Sequence, residues 1–171
     1  MKISHASSIR PLKSNYLRMK TITKQADNMG GVVRLWAIPR TDISLNGNIP
    51  TIASSENVVC MDITQDSAAA DHTPKVTFAG TTYLHEISGF IPGYSEDTEP
   101  IINEMMRLSR YVVIYIDSEG IPVLLGRPDI PIRFNATFGT GQTTASPRGY
   151  KILFSGNVHY PPIRLRSNPF G

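Results

Sequence analysis

Cysteine is almost absent from this 171-residue chain: Cys60 stands alone, so no intramolecular disulfide can form and a reduced compartment is the simplest expectation. Its setting, Val58-Val-Cys-Met61, reads as an apolar strand. No base or electropositive neighbour stands beside the thiol, which points to a small buried hydrophobe rather than a nucleophile. Long apolar runs are missing too. Nothing approaches the roughly 18 to 20 residues of a membrane span, and the N-terminus lacks the roughly 7 to 15-residue apolar region of a signal peptide. These absences predict a soluble protein made without export, with no membrane partner.

Catalytic and metal-binding signatures are equally scarce. Ser88-Gly89 and Ser155-Gly156 lack the Gly-x-Ser-x-Gly elbow that exposes a nucleophile. Gly139-Thr-Gly141 lacks the Gly-Lys-Ser/Thr ending and the following helix that would aim N–H groups at a phosphate, and reads as a turn. Asp62, Asp66 and Asp71 are loosely spaced like calcium ligands, but the Gly and the bidentate Glu of a calcium loop are missing, so they read as solvated carboxylates. His5, His72, His85 and His159 never come as a close pair in sequence, and His85-Glu86 on a strand would point to opposite faces. The expectation is a non-enzymatic protein with no cofactor, no metal and no small-molecule substrate.

Charge is unevenly placed. Lys2, Arg10, Lys13, Arg18, Lys20 and Lys24 give the first 24 residues a charge of +6, whereas residues 25–160 hold nine basic and fourteen acidic residues, a net of −5. Residues 1–30 therefore read as a basic arm with weak periodicity, one that could add a strand through Tyr16-Leu-Arg-Met19 if a neighbour supplied a partner. Lys and Arg on a flexible segment can neutralise phosphates or settle on an acidic surface without fixed geometry. Contact with nucleic acid would want aromatics interleaved with the charge, and only Tyr16 offers a stacking surface. Docking on the acidic body of an adjacent identical subunit accounts for both charges and is the favoured reading; a plain disordered terminus is the third.

The body, residues 31–165, reads as a single β-rich domain with a C-terminal tail at 166–171. Val32 to Ile38 is a strand stopped by Pro39, with Trp36 a core residue. Thr41 to Glu56, with Asn46-Gly47 as a turn signal, reads as a loop or irregular surface excursion. Asn57 to Ile63, Lys75 to Phe78 and Thr81 to Ile87 read as further strands, with Ser67 to Asp71 a connection and Gly89, Pro92 and Gly93 ending the β region. One helix is expected over Glu99 to Arg110, with Asp97-Thr98 as cap and Pro100 in the first turn, and Ile101, Met105 and Leu108 as its apolar stripe.

Tyr111 to Ile116 and Ile121 to Leu125 form a hairpin around Asp117-Ser-Glu-Gly120, where glycine can take the positive φ that turns the chain. Ile132, Phe134 and Ala136 then alternate with Arg133, Asn135 and Thr137, and Tyr150, Ile152 and Phe154 answer them. A polar loop joins these two strands, and Thr140, Gly141, Gln142 and Arg148 on it are candidates for contact with a partner. The fold class expected is mainly β (α+β), an antiparallel sandwich or barrel with one flanking helix. A sugar- or peptide-binding sandwich is disfavoured, because the aromatics sit in phase with the apolar side of the strands.

Gly120-x-Pro122, Leu124-Leu-Gly126, Pro131-x-Arg133-Phe134, Phe138-x-Thr140-Gly141, Gly149-Tyr150, Phe154-Ser-Gly156 and Pro161-Pro162 together give the segment from Tyr111 to Pro162 a recognisable look. It resembles small β proteins encoded among the virion genes of tailed phages and prophages of Bacteroidales hosts. The resemblance covers about a third of the chain. It implies a tail-tube-like fold and a subunit of the tail or head–tail neck, made in the host bacterial cytoplasm and found in the virion. It also implies a homo-oligomeric ring around the DNA channel, assembled through strand edges that pair across subunits, contact with other virion proteins, and non-specific contact with packaged DNA. Arm residues Arg10, Lys13, Arg18, Lys20 and Lys24 would touch a neighbouring subunit or DNA. The alternative is a nucleic-acid-binding β-barrel module using the same arm.

Overall fold

A computed structural model of the chain describes residues 31–63, 67–93, 95–140 and 148–171, together with the backbone of 20–22. In chain order the elements are β1 (Lys20–Ile22), β2 (Val32–Pro39), β3 (Ile43–Asn46), β4 (Ile49–Ile52), β5 (Val59–Asp62), β6 (Ala69–Thr77) and β7 (Gly80–Pro92). After them come α1 (Thr98–Leu108), β8 (Arg110–Asp117), β9 (Pro122–Leu125), β10 (Ile132–Gly139), β11 (Gly149–Val158) and β12 (Ile163–Arg164). Ten strands make one sheet in the order β1-β5-β2-β8-β10-β11-β7-β6, with β9 beside β8 and β12 beside β9; β3 and β4 form a separate pair. Every pairing in the large sheet is antiparallel except that of β1 with β5. The mainly β, α+β class with one helix is what the alternation predicted.

Side-chain period decides which face each strand buries. Along β10, Ile132 and Phe134 are buried while Arg133, Asn135 and Thr137 are exposed. In β8 the run Tyr111 to Tyr115 is buried without interruption, because the sheet is covered on both faces there. The sheet curls, so that Ile87 of β7, Phe154 of β11 and Phe134 of β10 share an inner core with Leu35, Met61 and Val113. Phe134 and Phe154 lie 4.8 Å apart at their centroids. On the outer face Trp36, Ile38, Val112, Ile114 and Leu124 are covered by Ile43 of β3 and by Leu165. Phe170, in the segment expected as a tail, stacks on Trp36 at 5.1 Å.

Burying one such apolar side chain contributes about 1.5–3 kcal/mol relative to leaving it in water. The exposed ion pair Arg34–Asp62, at 2.9 Å, is of the kind that contributes only about 0–1 kcal/mol. The two cores, rather than this exposed pair, therefore hold the fold.

Several boundaries differ from expectation. Thr41 to Glu56 contains a hairpin of its own, β3–β4, turned at the Asn46-Gly47 signal and registered Ile43 to Ile52. Ser67 to Asp71 is a connection only in part: β6 already begins at Ala69 and runs through Pro74. An end strand tolerates proline, since its missing N–H need not face a partner. β7 does not stop at Gly89. It continues to Pro92, and at Gly89 Ile63 fills the space a side chain would need.

The helix spans Thr98–Leu108, and Arg110 opens β8 rather than closing the last turn. Asp97 occupies the cap position without a side-chain cap bond; the backbone N–H groups of Thr98 and Glu99 instead donate to the Ser95 carbonyl. Its buried side is Ile102 and Met105, while Leu108 and Met106 are exposed, so the stripe is rotated from the one expected. Among the described residues no helix is long and apolar enough to cross a membrane.

Candidate functional site

β6 and β7 pair from Ala69↔Ser88 to Thr77↔Gly80, whereas β11 follows β7 only as far as Tyr83. The outer part of this hairpin thus stands beyond the rest of the sheet, and residues 73–81 are all exposed. The turn Phe78-Ala79 is closed by Gly80 at φ +125°, and the Thr77 hydroxyl donates to the Gly80 carbonyl at 2.9 Å. Because side chains alternate, Pro74 and Val76 lie on the same face of β6 as Ala70 and His72, and Phe78 follows them in the turn. At Ala70 and His72 that face packs inward, onto the core and Tyr115. Further out it meets nothing: Val76 is 82% exposed and Phe78 fully so. The inner face of the sheet therefore overhangs the body as a bare apolar strip.

At the root of the overhang lies a buried polar chain. His72 and His85 are direct cross-strand partners, with Nδ1 atoms 3.0 Å apart. His72 Nε2 is 3.0 Å from the Tyr115 hydroxyl, and His85 Nε2 is 3.1 Å from the Tyr160 carbonyl. A carbonyl only accepts, so His85 Nε2 carries a proton and, in the neutral ring, its Nδ1 is bare. His72 Nδ1–H then donates to His85, and the Tyr115 O–H donates to His72 Nε2.

Burial lowers both histidines from their ordinary value, and for His72 the neighbouring His85 adds to the shift. Burial likewise pushes the Tyr115 phenol up to about 12, with Asp117 contributing, which keeps it a donor. A proton added to His85 Nδ1 breaks the link between the rings, whereas one added to His72 Nε2 turns the Tyr115 hydroxyl from donor to acceptor. Beside His85 a void of about 10 Å³ is bounded by Arg127, whose guanidinium lies 4.2 Å from the centre of the Tyr160 ring.

Sequence spacing separated these histidines, and the structure joins them. The signal that finds them is the turn: with Phe78-Ala79 at the apex, strict antiparallel register carries Thr77↔Gly80 down to His72↔His85. No group of three or more His, Cys, Asp and Glu side chains suited to a metal occurs among the described residues. Cys60 is buried, and burial followed by the nearby Asp62 raises its thiol to about 11. Asp62 pairs with Arg34, Asp71 is exposed beside His72, and Asp66 lies outside the described residues.

The arm residues Arg10, Lys13, Arg18 and Lys24, the segment Tyr16 to Met19, and Gly141 and Gln142 also lie outside the described residues. Lys20 falls in β1, whose backbone pairs in parallel with Val59 of the same chain. Thr140 is exposed just past β10. Arg148 is exposed before β11, its carbonyl accepting from Gly93 N–H at 2.8 Å and its guanidinium 5.6 Å from the centre of the Phe138 ring. Gly149, next to Arg148, pairs with Pro92, seven residues along β7 from His85, so Thr140 and Arg148 are not brought together with the histidine chain.

In comparisons with known proteins, no family model, no curated protein and no solved structure matches this chain.

Proposed function

We propose that the protein is a non-enzymatic structural subunit of a virion, belonging to the tail or the head–tail neck, that assembles with copies of itself into rings around the DNA channel. The observation that carries this reading is the overhang: Pro74 and Val76 continue a core-facing surface past the end of the core, and Phe78 stands fully exposed in the turn beyond them. A side chain such as Phe78 left in water forgoes about 1.5–3 kcal/mol of burial, and a neighbouring copy is the partner a ring supplies. The contact is through the apolar face rather than by strand addition, because Pro74 and Lys75 blunt the free edge of β6. The resemblance of Tyr111 to Pro162 to phage virion proteins supplies the virion setting, and with it production in the host bacterial cytoplasm.

The test is the mass of the purified protein by light scattering, with electron microscopy of large species. Rings or tubes from the wild type, and a shift to monomer in Phe78→Asp with unchanged thermal unfolding, are the expected results. A wild type that stays a compact monomer at all concentrations refutes the reading.

The second reading, a nucleic-acid-binding β module, draws on the +6 charge of the first 24 residues, among which Arg10, Lys13, Arg18 and Lys20 would hold phosphates. Oligonucleotide binding by a monomer that weakens steeply with salt would favour it.

A further inference from the structure

Arg110 of β8 and Arg133 of β10 are direct cross-strand partners, and both are exposed. Like charges placed opposite each other on a sheet destabilise the pair. Arg40 is close by, its backbone N–H donating to the Arg110 carbonyl at 3.3 Å. Among the described residues none of the three guanidiniums has an ion-pair partner.

They line two adjoining clefts. One, of about 480 Å³, runs between Pro39, Arg40, Leu108 and Arg110; the other, of about 330 Å³, lies between Arg133, Ser155 and Asn157. Arg110, Asp129 and Pro131 form the wall they share. Three cations against one carboxylate leave the pair of clefts with a net charge of +2.

The complementary charge is on the same chain. Glu96 and Asp97, in the turn that opens α1, are exposed and have no ion-pair partner among the described residues. Leu108, the last residue of α1, borders the basic cleft. An 11-residue helix is about 16 Å long, so the acidic turn and the basic clefts sit at opposite ends of one rigid element. They cannot meet within one molecule, but they can meet between two.

Resting on the ring reading above, we infer that the Glu96-Asp97 turn of one copy docks into the Arg40–Arg110–Arg133 clefts of the next. Arginine forks suit paired carboxylates, with two parallel N–H···O bonds to each. Pro39, Leu108 and Pro131 offer apolar wall to the peptide carrying them. The contact is head to tail, the kind that closes into a ring or continues as a filament.

Two charge-reversed proteins test it: Arg110→Glu/Arg133→Glu, whose clefts become acidic, and Glu96→Arg/Asp97→Arg, whose turn becomes basic. All four residues are exposed or at a turn, so both proteins should unfold thermally like the wild type. Each alone should need about a hundredfold higher concentration than the wild type to assemble, since like charges then face each other at every contact. An equimolar mixture should regain wild-type assembly, because every alternating contact is again complementary. Raising salt from 0.1 to 1 M, which shortens screening from about 10 to 3 Å, should loosen the wild type and the mixture alike.

Wild-type assembly by the Arg110→Glu/Arg133→Glu protein on its own overturns the inference and leaves the ring reading standing. A wild type that never assembles overturns both. Loss of oligonucleotide binding in that variant, with no rescue of assembly on mixing, overturns it in favour of a phosphate site.

Discussion

Acidification should weaken the fold through the His72–His85 chain before it acts on anything else in the core. Both histidines have folded-state values below the ordinary 6.5, so the native state takes up fewer protons than the unfolded chain once the pH falls below that value. Their contribution is fully present above about pH 6.5 and is lost as the pH drops beneath it. A histidine that binds a proton only on unfolding raises the unfolding constant about tenfold per pH unit, and two raise it about a hundredfold.

The facing groups set where between these limits the slope lies. Asp71 favours a charged His72 and the Tyr160 carbonyl a charged His85, so both soften the effect, while Tyr115 is held neutral. Arg127, across the small void, opposes a second cation. Urea unfolding at pH 7.5, 6.5, 5.5 and 5.0 should therefore give a flat midpoint above 6.5 and a falling one below. His85→Leu should unfold about 2–4 kcal/mol more easily at pH 7.5, since it strands the Tyr160 carbonyl and the His72 Nδ1–H. It should also lose at least half of the pH slope. A wild-type midpoint that does not move between pH 7.5 and 5.0, or a variant that keeps the full slope, refutes the assignment.

Two further outcomes follow from packing. Gly149→Ala places a methyl group against the Ile91 carbonyl and 2.7 Å from the Phe90 ring; overpacking of this kind typically costs about 1–3 kcal/mol, and a lowered thermal midpoint checks it. Phe170→Ala removes the stack on Trp36, and a loss of about 1–2 kcal/mol in urea unfolding, with a change in Trp36 fluorescence, would establish the last residues as part of the outer core.

Much of the scaffold was legible because period-2 alternation is a local signal. Ile132-Arg-Phe-Asn-Ala-Thr137 could hardly be anything but a strand with one buried face, and Gly120 marked its hairpin with a φ of +79°. β6 was harder. Ala69-Ala-Asp-His-Thr-Pro74 has no β-branched run, and a proline argues against a strand unless the strand is known to sit at the end of a sheet, which is a tertiary fact. The length of β7 was hidden for a related reason: Gly89 looks like a terminator until Ile63, from another strand, is seen to occupy its missing side chain. The histidine chain and the opposed arginines depend on register and on the curl of the sheet. Neither can be read from residues thirteen or twenty-three positions apart without the pairing.

The place of β2 in the sheet also bears on how the chain reaches this fold. Its apolar run finds β5 at Trp36↔Cys60 but β8 only at Trp36↔Ile114, 78 residues further along. At ribosomal rates of about 5–20 residues per second, β2 waits roughly 4–16 s for the strand that pairs with its other edge. The hairpins β3–β4 and β6–β7 emerge meanwhile, and being local they can pair at once. Closure of the inner core is postponed further still, until β10 and β11 bring Phe134 and Phe154, which makes the nascent N-terminal half the stage at which this protein most needs protection from wrong partners.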